Sequence, residues 1–279
     1  MQEAMYWESL SDGMVRCVLC PHICSIVPGK YGACGARVNE RGKLISASYA
    51  QISSIATDPV EKKPLKRFLP GTITYSCGSF GCNLHCGHCQ NWQIARARPD
   101  TVEVSPREFV GMTLREHCPS VAFTYNEPLV CFEWVLEAAK LAHVADLKTI
   151  LVTNGYIMPE PLEELLPHID AMNIDLKAFT EAGYAKLGGT LEPVLHAIRR
   201  SAKVCHVEVT MLLVPGILDS ADEVEAAAQW LAKTEVKALH LTRCFPAYRH
   251  RAAPTPLALL SEAQERAQRH LTHVYLGNV

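Results

Sequence analysis

The sequence lacks any long apolar run. Its longest, such as Thr149–Val152 and Val209–Val214, fall far short of the roughly 20 residues that a membrane-crossing helix needs, so no membrane partner is expected. It also lacks an apolar stretch behind the amino terminus. Met1–Gly13 carries Glu3, Glu8 and Asp12, so no secretory signal is expected and a cytoplasmic location is. A surplus of either charge is missing too. With a formal net charge of −2 over 279 residues, bulk electrostatics indicate neither nucleic acid nor an anionic membrane. Internal repeats and low-complexity tracts are absent as well. What remains is the composition of an ordinary globular enzyme, 48% hydrophobic and 20% charged, sized for one large domain or one domain with a small appendage.

What the chain has in excess is cysteine, twelve in all. Disulfides are disfavoured in a reducing compartment, so clustered cysteines there point to metal ligands. Cys17, Cys20, Cys24 and Cys34 form one group and Cys77, Cys82, Cys86 and Cys89 a second, while Cys118, Cys131, Cys205 and Cys244 are scattered.

Residues 1–70 are rich in turn signals (Pro28-Gly29, Tyr31-Gly32, Asn39 to Gly42) and read as a Cys-rich N-terminal extension held partly by metal. From residue 71 to 279 a βα alternation follows. Short apolar or β-branched runs at 72–77, 120–125, 149–153, 171–176, 206–214 and 238–243 predict strands. Amphipathic stretches at 106–117, 130–145, 159–167, 191–203 and 221–235 predict helices, and a helix over 258–270 precedes a last strand at 273–277. Such alternation implies an α/β fold, here a partial (β/α)6 TIM-like barrel, with chemistry at the C-terminal ends of the strands.

The first predicted strand runs into Cys82-x3-Cys86-x2-Cys89. Three thiolates on one loop can bind three corners of an iron–sulfur cubane and leave the fourth iron open to a substrate or cofactor. The competing reading is a zinc knuckle, which needs a fourth ligand that Cys77 or His88 would supply, or cysteines packed as small hydrophobes.

Read together, Asp58-Pro59-Val60-Glu61-Lys62-Lys63-Pro64-Leu65, Gly81-Cys82-Asn83, Cys89-Gln90-Asn91-Trp92, Phe123-Thr124-Tyr125-Asn126-Glu127-Pro128, Thr153-Asn154-Gly155-Tyr156, Asn173 to Phe179 and Val274 to Val279 resemble the radical S-adenosylmethionine (SAM) enzymes of the AmmeMemoRadiSam system. That family is related to pyruvate formate-lyase activating enzyme and other glycyl-radical activases. The resemblance implies a [4Fe–4S] cluster on Cys82, Cys86 and Cys89 and SAM chelated at the open iron. One-electron reduction then yields a 5′-deoxyadenosyl radical that takes hydrogen from a substrate.

The resemblance also implies SAM contacts. Tyr125, Asn126 and Glu127 match the segment that binds the SAM amino group; Asn126 can equally be a helix N-cap. Thr153 and Asn154 match a ribose or methionine contact, His88 and Val214 an adenine contact. Asp175 and Lys177 lie on one strand face, with Ile174 and Leu176 on the other. They are candidate cofactor or catalytic groups, or a structural ion pair. His240 is a further catalytic candidate, or a satisfied hydrogen-bonder. Val152 stands where related activases carry the Asp of a monovalent-cation site. Relatives commonly continue past Val279 into a segment with more cysteines.

Cys17, Cys20, Cys24 and Cys34 suffice for a closed site, either zinc or a second iron–sulfur cluster. Lys62, Lys63, Lys66 and Arg67 read as a solvated loop or as a docking surface for an acidic electron donor such as flavodoxin or ferredoxin. The hydrogen donor is open: a protein partner receiving a glycyl radical, a small molecule, a peptide or a nucleic acid. A methyl-transfer variant would use Cys118, Cys131, Cys205 or Cys244 as carrier. A non-enzymatic iron–sulfur or zinc protein is the alternative from outside catalysis.

Overall fold

The computed structural model describes residues 2–279. Its centre is an eight-stranded sheet in which every strand neighbours the next in sequence. The strands are β1 (Ser54–Pro59), β2 (Ile73–Gly78), β3 (Ser120–Phe123), β4 (Lys148–Thr153), β5 (Ala171–Asp175), β6 (His206–Leu213), β7 (Ala238–Arg243) and β8 (Val274–Gly277). β1 pairs antiparallel with β2, and every later pairing is parallel. Among the described residues β1 and β8 remain the two edges, so the barrel is partial and open.

Helices α1 (Pro106–Arg115), α2 (Phe132–Val144), α3 (Pro159–Leu165), α4 (Glu181–Lys186), α5 (Glu192–Ser201), α6 (Ala221–Leu231) and α7 (Leu257–Gln268) lie between these strands in sequence. Several begin as their sequences dictate. Ser105 and Glu108 form a reciprocal capping box at α1, and the Ser220 hydroxyl accepts from Glu223 N at α6. The short α4 was not legible as a helix. It contains Gly183, where a Cβ would stand 2.4 Å from the Ala178 Cβ, so close packing outweighs helix propensity there.

Alternation along the strands separates two cores. Val121, Phe123, Leu151, Met172, Ile174, Val207, Val209, Met211 and Leu239 face outward into the main cluster with the helices. The opposite face turns into the barrel, where Ala122, Ile150 and Ala171 pack against Val60 and Leu65. The segment before β2 therefore plugs the barrel. Asn173 Nδ2 donates to Pro64 O at 2.8 Å, and Glu208 accepts from the amides of Lys66 (3.0 Å) and Arg67 (2.8 Å).

The N-terminal segment has more strand than its turn signals suggest. Gln2–Glu3, Lys43–Ser46 and Arg37–Glu40 form one antiparallel sheet, and Trp7–Ser9, Val15–Cys17 and Ser25–Ile26 another. Both contribute buried residues, Val15, Ile26 and Leu44 among them, to the main core. Arg37, fully buried, pairs with Glu133 of α2.

Candidate functional site

A cleft enclosing about 1210 Å³, open to solvent, lies at the C-terminal ends of the strands. Its walls bring together residues from five successive loops or strand ends: Cys82, Cys86 and Cys89 after β2, Tyr125 to Glu127 after β3, Thr153 and Asn154 at β4, Asp175 and Lys177 at β5, and Thr210 and Leu212 on β6.

The cysteine loop is fastened from several sides. Ser79 N donates to Asn126 Oδ1 at 2.9 Å, and Asn126 Nδ2 to Gly81 O at 3.1 Å. Arg96 Nη1 donates to Cys82 O at 2.9 Å, and His85 N to Leu187 O at 2.8 Å. The Cys82 sulfur accepts from Leu84 N at 3.4 Å and from Asn154 Nδ2 at 3.7 Å, and Asn154 Nδ2 also donates to Asn83 Oδ1 at 2.8 Å. Burial pushes the thiols of Cys82, Cys86 and Cys89 up, and the Lys177 ammonium acts against it at each.

Among the described residues no three His, Cys, Asp or Glu side chains stand close enough to share a single metal ion. Cys77 is buried and lies on the outward face of β2, lining a small interior space with Cys131 rather than the cleft. Cys77 is therefore not placed to close a zinc knuckle on this loop. Three thiols around a roomy cleft, with two donors aimed at the Cys82 sulfur, fit a cluster with one corner free.

Glu127 caps the 3₁₀ turn Pro128–Cys131, accepting from Leu129 N at 3.1 Å, so the cap falls one residue later than Asn126. Its carboxylate also accepts from Thr153 Oγ1 at 2.6 Å and Asn154 N at 2.8 Å. Burial raises its pKa to about 7, against the pull of those donors. Oε2 has a single donor and keeps acceptor capacity. Lys177 Nζ donates to Asp175 Oδ2 at 2.9 Å. Burial opposes the ammonium, but Asp175 and the Cys86 position outweigh it and raise the Lys177 pKa. Ile174 and Leu176 are buried on the other face. His88 is buried with no partner on Nδ1, and burial, reinforced by Lys177 and His250, brings it down to about 3.

Two expected residues do not reach the cleft. β6 ends at Leu213 and the chain turns back, Val214 N donating to Leu218 O at 2.8 Å, so Val214 leaves the inward alternation. His240 sits one inward position deeper than Thr242, against Glu208 Oε2 at 2.6 Å. The candidate methyl carriers Cys118, Cys131, Cys205 and Cys244 also lie outside the cleft.

Sequence reasoning missed a chain of contacts on the cleft's rim. Tyr125, held at φ +73°, donates from its hydroxyl to Asp58 Oδ2 at 2.8 Å. Lys63, buried, donates to the same oxygen at 2.7 Å and stands 4.6 Å from the Tyr125 ring centre. Burial opposes the Asp58 charge, yet these donors bring its pKa down to about 2. The basic run is thus divided: Lys63 is an internal ion pair, and Lys62, Lys66 and Arg67 are exposed.

Residues 77–231 match the Radical SAM superfamily. An uncharacterized protein of Methanocaldococcus jannaschii is 38% identical over 287 residues, a match that covers 100% of this chain and 86% of that protein. The chain belongs to the radical SAM superfamily. A pyruvate formate-lyase-activating enzyme of Clostridium pasteurianum is 25% identical over 159 residues, 53% of this chain and 65% of that enzyme. The crystal structure of a radical SAM methyltransferase from Sphaerobacter thermophilus superposes with a TM-score of 0.59 at 15% identity, over 75% of this chain and 67% of its own. At that identity the likeness shows the fold, a partial TIM-like barrel. Radical SAM enzymes carry a [4Fe–4S] cluster and use SAM, so this chain is an enzyme with those cofactors. Among the described residues no helix is long and apolar enough to cross a membrane.

Proposed function

We propose that Cys82, Cys86 and Cys89 hold the [4Fe–4S] cluster, that SAM binds in the adjoining cleft, and that the enzyme takes hydrogen from its substrate with a 5′-deoxyadenosyl radical. The observation that carries this reading is the convergence of the three thiols with Glu127, Asn154, Asp175 and Lys177 on one cleft at the strand ends. When bound, cluster and cofactor supply the radical. The protein's own residues position and shield them. Asn154 orients the Cys82 sulfur, and Glu127 fixes Thr153 and Asn154 while offering Oε2 to the SAM ammonium. Asp175 and Lys177 present a fixed charge pair to the ligand. Neutral His88 lends an unpaired ring nitrogen to the adenine side.

We place the chain in the AmmeMemoRadiSam branch on the motifs given above, and read it as an activase that makes a glycyl radical on a protein partner. The Clostridium pasteurianum relative is an activating enzyme for pyruvate formate-lyase, and this supports that class of partner. Reduction falls to flavodoxin or ferredoxin, the usual donors of the superfamily. Twelve free cysteines suit the cytoplasm.

The test is anaerobic reconstitution with iron and sulfide followed by dithionite and SAM. Wild type is expected to release 5′-deoxyadenosine and Cys86→Ala to release none. Equal product from both would defeat the reading. A glycyl-type paramagnetic signal on a co-purified protein, with one SAM consumed per radical, selects the activase; many turnovers on a small molecule reject it.

A further inference from the structure

Away from the cleft, Cys17, Cys20, Cys24 and Cys34 line one narrow cavity, but among the described residues no three of them stand together as ligands of a single ion. A tighter construction joins the barrel plug to the cleft. Three residues from three segments meet there: Asp58 on β1, Lys63 in the plug and Tyr125 in the turn after β3. Lys63 and Tyr125 line the cleft, and Asp58 stands behind them.

Tyr125 is held at its hydroxyl, its ring and its carbonyl. The hydroxyl donates to Asp58 Oδ2 at 2.8 Å, Lys63 Nζ lies 4.6 Å from the ring centre, and the carbonyl oxygen accepts from Asn91 Nδ2 at 2.7 Å. The ring also closes on the end of β2, where a Cβ on Gly78 would stand 2.9 Å from the Tyr125 Cβ and 2.7 Å from Thr124 O. The backbone of Tyr125 has φ +73°. A bulky L residue rarely adopts that conformation and keeps it only where its surroundings enforce it.

Asp58 is the common partner. Its Oδ2 also accepts from Lys63 Nζ at 2.7 Å, and its Oδ1 from Lys62 Nζ at 3.3 Å. The Lys63 side chain is 3% exposed and that of Asp58 13%. A buried ion pair is weak support for stability, since packed apolar residues often do as well. What this pair fixes is a position, that of the Tyr125 hydroxyl. Tyr125 passes the position on in two directions. Asn91, on its carbonyl, is two residues beyond Cys89. Glu127, two residues further along the turn, is bonded to the cysteine loop through its own N to Gly81 O at 3.3 Å. A shift of Tyr125 therefore moves the carboxylate that faces the SAM ammonium, and small misplacements of such a group are costly.

We infer that Asp58 and Tyr125 are positioning residues for SAM: the Asp58–Lys63 pair holds the Tyr125 hydroxyl, and the held turn sets Glu127 in place for the cofactor. This rests on the SAM-cleaving reading given above. The test compares the full chain, reconstituted anaerobically with iron and sulfide, with Tyr125→Phe and with Asp58→Asn/Lys63→Met. Tyr125→Phe keeps the ring and the ion pair and removes only the hydroxyl. The double variant removes both charges together, so neither is left stranded. Each is expected to keep wild-type iron and to need about tenfold more SAM for half-maximal 5′-deoxyadenosine release, with kcat within about threefold of wild type. The SAM concentration that alters the reduced-cluster paramagnetic signal should rise by the same factor. Combining all three substitutions should be no worse than the poorer variant. Wild-type SAM dependence in Tyr125→Phe, with or without a lowered unfolding midpoint, would return the network to the fold and overturn the inference. Loss of iron in Tyr125→Phe would overturn it too, by placing the effect at the cluster. A wild type whose signal SAM does not alter would defeat the SAM reading itself, and this inference with it.

Discussion

The amide of Cys82 donates to the carbonyl oxygen of Cys34 at 3.1 Å. The two cysteine groups, 48 positions apart in sequence numbering from Cys34 to Cys82 (82 − 34), are therefore joined by a direct peptide contact. Gly81 is what allows the approach. Its φ is +90°, and a Cβ there would stand 2.7 Å from Cys34 O and 2.9 Å from the Ala36 Cβ.

Gly81→Ala should accordingly lose stability and loosen the cysteine loop together. The backbone strain alone costs about 1–3 kcal/mol, and the clash with a backbone oxygen cannot be relieved by a rotamer change. Urea unfolding of the unreconstituted protein should show the loss. Iron content after reconstitution should fall below wild type. A variant with wild-type unfolding midpoint and full iron would show that the two segments do not hold each other.

Glu208 should control acid stability from inside the barrel. Its carboxylate accepts from Lys66 N, Arg67 N, His206 Nε2 at 2.9 Å and His240 Nε2 at 2.6 Å. Burial opposes the charge, yet these partners bring its pKa down to about 2. A carboxylate whose pKa is lower in the folded than the unfolded chain contributes stability that is complete above the ordinary Glu value. That stability is lost as pH falls from about 4.5 toward about 2. The contribution is on the order of 2–3 kcal/mol. Glu208→Gln should unfold at lower urea than wild type at pH 6, and the gap should narrow as pH drops below about 4.5. A gap that stays constant with pH would mean that the carboxylate charge is not what matters.

The parts of this molecule that were legible share one property: their cause is local. Asp175 and Lys177 alternate with Ile174 and Leu176 at and just beyond the end of β5, so their division was readable from period two alone. Cys82, Cys86 and Cys89 carry their meaning in their spacing. The Val60–Phe68 plug has no such signature. Its charges read as a solvated loop, whereas Leu65 is buried and Lys63 is paired with Asp58. The partners that decide this, Asn173 and Glu208, are more than 100 residues away. His240, open between a catalytic group and a satisfied hydrogen-bonder, meets Glu208 on the neighbouring strand, a partner its own stretch of sequence does not reveal. At Val214 a turn closed by Leu218 interrupts the alternation that the apolar run suggests.

Arg37 and Glu133 should behave as a coupled pair that pins the N-terminal segment to α2. Both are buried, Arg37 Nη1 also donates to Met5 O at 2.8 Å, and Glu133 Oε1 accepts from Met5 N at 2.7 Å. Removing one member strands the other charge, at a cost of about 3–5 kcal/mol. Glu133→Gln and Arg37→Met should each be strongly destabilising, and the double variant should cost clearly less than their sum. Additive effects in urea unfolding would show that the two act independently.

Asp175 and Lys177 separate a structural from a catalytic reading most directly. Their contact is 2.9 Å, but Asp175 keeps 35% and Lys177 21% of its side chain exposed, on the cleft wall. A merely structural pair at that exposure contributes little, about 0–1 kcal/mol. A pair that faces ligand charge in a site closed by that ligand contributes more. Asp175→Asn should therefore leave the unfolding midpoint and iron content near wild type, while 5′-deoxyadenosine formation falls at least about tenfold, or about 1.4 kcal/mol of barrier. Lys177→Met should do the same, and the double variant should be no worse than the poorer single one, because either loss already breaks the pair. Wild-type rates in Asp175→Asn with a lowered unfolding midpoint would return the pair to the fold and leave SAM binding to the Glu127 side of the cleft.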